Sequence, residues 1–107
     1  MPKFVTIGYG EREGYDRTSA AVREEAHEHD ERLKAAGVEM GIAGAPVQVR
    51  NHDGAGTSVE DGPFLRAALP VAGFAIFEAD SVEEAVRMVA GTPCAVAHGV
   101  VEVWPLS

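Results

Sequence analysis

Val71-Ala72-Gly73-Phe74-Ala75-Ile76-Phe77-Glu78 is the stretch whose reading decides the fold. The run is nearly all apolar, so it predicts a strand covered from both sides, and therefore a central one. Directly after it, Ser81-Val82-Glu83-Glu84 has the form of a capping box, with Asp80 just before it. Ser81 can accept from the backbone of a first helical turn while Glu84 reaches back, so a helix starts here. Val82, Ala85, Val86 and Val89 give that helix an apolar stripe, closed by Gly91 and blocked by Pro93. Gly99 to Trp104 then alternates as a last strand, halted by Pro105. The second half is thus β-α-β.

Moving outward, the first half has the same order without repeating the sequence. Phe4 to Tyr9 reads as a strand apolar on both faces, and Gly10 to Asp16 as a polar loop. From Thr18 to Ala36, Val22, Ala26, His29, Leu33 and Ala36 recur at helical spacing, and Gly37 ends the helix at its C′ position. Arg23, Glu24, Glu28, Glu31 and Lys34 fall on solvated faces. Val38 to Ala43 is a second strand. Between the halves, Val47 to Arg50 pairs as a hairpin with Thr57 to Glu60 across the His52–Gly56 loop. The expected architecture is α+β: a single domain over residues 1–107, ferredoxin-like βαββαβ with an inserted β-hairpin, an antiparallel sheet carrying two helices.

Two helices cover only one face of such a sheet, yet three of its strands are apolar on both. The other face must bury against something, and a second copy is the simplest cover, which predicts a homodimer. Nine basic against seventeen acidic residues give a net charge of −8, which argues against nucleic acid and anionic membrane as partners. No window approaches the roughly 18 apolar residues of a membrane span. Met1 to Ile7 is too short and too alternating for a signal peptide, and Cys94 is the one cysteine, so a cytoplasmic protein is expected.

Asp61-Gly62-Pro63-Phe64 is the most distinctive turn. Glycine permits positive φ, proline fixes φ, and phenylalanine is expected to anchor the turn in apolar surroundings, leaving Asp61 at its lip. This turn occurs with a helix ending Ala35-Ala36-Gly37-Val38, a Gly73-Phe74 strand, Asp80-Ser81-Val82-Glu83-Glu84-Ala85, and the ending Val101-Glu102-Val103-Trp104-Pro105. Over nearly its whole length the chain thereby resembles the YCII-related family, in its DGPF-type branch. The resemblance implies a ferredoxin-like protomer that dimerises into an α/β barrel. It also implies either a histidine on the first helix working with an aspartate at the sheet, as in a lyase or hydrolase of a small organic molecule, or a regulatory accessory role beside alternative sigma factors. The family's helix histidine falls in register with Ala26, next to His27.

His29 and Asp61 are the candidate catalytic pair. His29 lies on the apolar stripe, where an imbedded imidazole either serves as acid and base or is satisfied by a backbone carbonyl. Asp61 either acts on substrate or caps its turn. His27, Phe64 and Phe74 are candidate ligand-binding residues. His27-Glu28-His29-Asp30 lacks metal-binding spacing, since residues two apart on a helix diverge, so neither metal nor cofactor is expected. Gly54-Ala55-Gly56 lacks the lysine and helix of a phosphate loop. The expected function is binding of a small organic ligand in a cleft near the Asp-Gly-Pro-Phe turn, with catalysis left open.

Overall fold

The computed structural model describes residues 1–107. Its elements run β1 (Lys3–Tyr9), α1 (Arg12–Asp16), α2 (Ala20–Ala35), β2 (Glu39–Ile42), β3 (Val47–Arg50), β4 (Ser58–Asp61), β5 (Val71–Glu78), α3 (Val82–Val89), α4 (Pro93–Val96) and β6 (Val100–Leu106). The main sheet has the order β2-β5-β1-β6, every neighbouring pair antiparallel. This is the ferredoxin-like arrangement, with β5 and β1 in the interior as the apolar run of β5 requires. Hairpin β3-β4 forms a separate two-stranded sheet.

Local chemistry sets the helix ends. Ser19 Oγ accepts from Val22 N at 3.3 Å to start α2. The helix stops in a Schellman motif: Val38 N donates to Leu33 O, and Gly37 N to Lys34 O, both at 3.0 Å. In α3 the capping box forms, Glu84 N donating to Ser81 Oγ at 3.1 Å and Asp80 N to Glu84 Oε2 at 3.2 Å.

One sheet face packs against the helices. Phe4 and Phe77 stack there with ring centroids 6.1 Å apart, joined by Ala75, Leu33, Ala85 and Val89. Val5, Ile7, Phe74, Ile76 and Trp104 occupy the opposite face by strand register, and Phe74, Ile76 and Trp104 are exposed.

Five expectations need correction. Pro105 does not halt the last strand: β6 runs on to Leu106 with Pro105 opposite Phe4, because an edge strand tolerates a residue without an N–H. The Gly10–Asp16 loop contains the helical turn α1, and the segment after Pro93 contains α4; both are too short to carry an apolar period. In α3 the buried residues are Ala85 and Val89, whereas Val82 and Val86 are exposed, because only the flank facing the core beside β6 is covered. In α2 Val22 and Ala36 are likewise exposed, and the buried residues are Ala26 and Leu33. Phe64 anchors nothing apolar: it is 78% exposed, with only the Arg50 guanidinium over its ring at 6.0 Å. Phe64 follows the β3-β4 hairpin, which forms a sheet separate from the main one.

Candidate functional site

The Asp-Gly-Pro-Phe turn is built by backbone. Gly62 adopts φ 98°, a region that disfavours side chains, and its N–H donates to Pro46 O at 3.1 Å. Gln48 Nε2 donates to Gly62 O at 3.1 Å, which ties the turn to β3. Asp61 itself lies exposed in β4, opposite Val47.

His29 has a different occupation. Its Nε2 donates to Met88 O at 2.6 Å, and its ring packs beside Gly91, where an added Cβ would sit 3.2 Å away. Met88 is in the last turn of α3, where carbonyls lack intrahelical donors, so His29 caps α3 from α2. Arg32 Nη2 approaches the other nitrogen at 3.5 Å. The protomer therefore does not pair His29 with Asp61. Replacing His29 by alanine leaves the Met88 carbonyl without its partner and is expected to cost about 1–2 kcal/mol in urea denaturation.

The principal cavity lies between α2 and the helix-facing side of the sheet, with a volume of about 520 Å³. Thr6, Ala75 and Phe77 form its floor, and Leu33, Met88 and Val101 are among its apolar walls. Asp61, Phe64 and His29 do not line it; His27 does, and β5 borders it at Phe74, although by strand register the Phe74 side chain belongs to the opposite face. Residue 27 also shares a 2.8 Å hydrogen bond between its Nε2 and the Tyr15 hydroxyl, with the Arg23 guanidinium 5.0 Å over the tyrosine ring.

Asp30 is the residue that sequence reasoning missed. It lines the cavity, and its Oδ1 is buried without a hydrogen-bond partner. Burial raises its carboxyl above the usual carboxylate range; His27, Lys34 and His29 pull it back down, and Glu31 adds to the rise. Cys94 also lines the cavity, its Sγ over Gly8, and burial followed by the nearby Asp30 charge pushes its thiol up. A signal existed: Asp30 stands four residues after Ala26 and three before Leu33, on the arc that proves buried. No group of three metal-ligating side chains comes together, and no helix is long and apolar enough to cross a membrane.

The family model of the YCII-related domain matches residues 3–107. The chain belongs to the YCII-related family. No curated protein matches it. In this YCII-related chain, the cavity's partnerless carboxylate oxygen belongs to Asp30 on α2.

Asp30 also gives a pH test. Its folded carboxyl titrates above its unfolded value, so its stabilising contribution is full in acid and is lost as pH rises through the raised value. Asp30→Asn is expected to be more stable than the parent at pH 7, by a margin that solvent screening of the half-exposed carboxylate keeps small. That advantage should fade in thermal melts as pH falls toward the unfolded aspartate value of about 3.9 and vanish about a unit below it, where the parent carboxyl is protonated in both states.

Proposed function

We propose that this chain is a homodimeric binding protein for a small organic molecule, held in the cavity between α2 and the sheet. One observation carries the reading: a largely apolar space of about 520 Å³ containing a single carboxylate oxygen with no protein partner. Small-molecule sites have this character, an apolar lining with few polar groups that fix orientation. Binding rather than turnover is the better-supported activity, because His29 is committed to the Met88 carbonyl and Asp61 lies outside the cavity lining. The Asp61-Gly62-Pro63-Phe64 turn supports membership of the DGPF-type branch.

The second copy is argued from what the protomer leaves uncovered. Only 15 of 107 residues are buried, which is sparse for a chain with so apolar a sheet. The radius of gyration is 15.7 Å, against about 13 Å for a compact domain of about 100 residues. Phe74, Ile76 and Trp104 on the open sheet face, and Val47, Val49, Val59 and Phe64 around the hairpin, are exposed. Such area is removed from water by an isologous contact. Ligand and partner copy would then use opposite faces of the main sheet.

The ligand reading is tested by thermal-shift screening with small aromatic fragments. Val101, which packs against the core and lines the cavity, is replaced by phenylalanine to occupy the space. Fragments that raise the melting temperature of the parent but not of Val101→Phe support the reading. Equal shifts in both proteins, or none in either, would sink it.

A further inference from the structure

The cavity's polar groups say which ligand chemistry it takes. Its titratable lining comes from two elements only: His27, Asp30, Glu31 and Lys34 on α2, and Cys94 on α4. Strands β1, β2, β5 and β6 contribute none. His27 is engaged with Tyr15, and Lys34 with Glu31 at 3.5 Å. Thr92, at the mouth of α4, donates its hydroxyl to Val89 O at 2.7 Å. Asp30 Oδ1 is left as the buried acceptor with nothing donating to it.

A buried acceptor of this kind costs free energy until a donor meets it. A charge-assisted bond from an ammonium group is among the strongest a carboxylate can accept. The chain's net charge of −8 favours the approach of a cation over an anion. The surrounding walls, Leu33, Phe77, Met88 and Val101, suit an apolar body. Burial, and then the nearby Asp30 charge, pushes the Cys94 thiol up, which disfavours a second anion beside Asp30.

We infer that Asp30 is the polar anchor of the cavity and that the site selects an organic amine, one ammonium group on an apolar, aromatic-sized body. The inference rests on the cavity being a ligand site and specifies what that site recognises.

Calorimetric titration with phenethylamine, phenethyl alcohol and phenylacetate tests it, since the three share one apolar body and differ in the polar group. The expected order of affinity at pH 7 is amine, then alcohol, then carboxylate. Asp30→Asn and Asp30→Leu should each weaken the amine about tenfold or more while changing the alcohol much less. Both variants remove a carboxylate whose buried Oδ1 has no partner, so both are expected to fold. Val101→Phe should abolish binding of all three. Equal affinity for the three compounds, or an amine preference that survives Asp30→Leu, would overturn the anchor while leaving the cavity a binding site. Amine binding that persists in Val101→Phe would place it on the acidic surface and overturn the inference. If none of the three compounds binds the parent, the inference and the ligand reading fall together.

Discussion

Gly99→Ala is expected to destabilise the protein by about 3 kcal/mol. A Cβ at residue 99 would fall against the carbonyl oxygens of Tyr9 and Cys94, both backbone atoms. Neither carbonyl can swing aside as a side chain would. Tyr9 is the last residue of β1 and pairs with Val100, and Cys94 O already accepts from Gly99 N at 3.0 Å. Relief therefore requires moving β6 away from β1 or displacing α4 from the strand end. A loss of that size is a large part of the 5–15 kcal/mol that holds a typical domain together. Urea denaturation should show a lowered midpoint with an unchanged slope. Gly44→Ala is the matched control, since nothing lies within 4 Å of its added Cβ, and it should change stability by less than about 0.5 kcal/mol.

Ile76→Glu is expected to convert the proposed homodimer into a monomer. Ile76 pairs with Val5 in β1 and with Glu39 in β2, so it sits within the open face rather than at its rim. In the protomer it is 41% exposed, so a glutamate there stays solvated and the fold survives. In an isologous dimer the substitution enters the interface twice and brings like charges into an apolar contact. The dimer dissociation constant should rise about a hundredfold or more, roughly 3 kcal/mol. Light scattering on the eluting protein should read the dimer mass for the parent and half of it for the variant. A parent that already elutes at the protomer mass would remove the second copy from this account.

The parts of the fold that local chemistry dictates were legible in the residues. The apolar run of β5, the Ser81–Glu84 capping box and the Gly37 stop each carry their own geometry, and each occurs where expected. Helices α1 and α4 were not legible, because segments of five and four residues hold no period and are fixed by packing. The site was read less well for a related reason. Residues His29 and Asp30 are adjacent on α2, and either could lie on the buried arc of a helix so rich in charge. Which one meets α3 and which one meets the cavity depends on how the helix is rotated over the sheet, a tertiary property. Phe64 illustrates the same limit, since whether a turn residue is covered depends on what surrounds the hairpin.

The central claim, that the cavity beneath α2 is the ligand site, is tested most directly by amide NMR during titration with phenethylamine. Saturable shifts are expected at Thr6, Asp30, Met88 and Cys94, which border the cavity from four different elements. Saturable shifts confined to the Asp61–Phe64 turn, with those four amides unmoved, would contradict it.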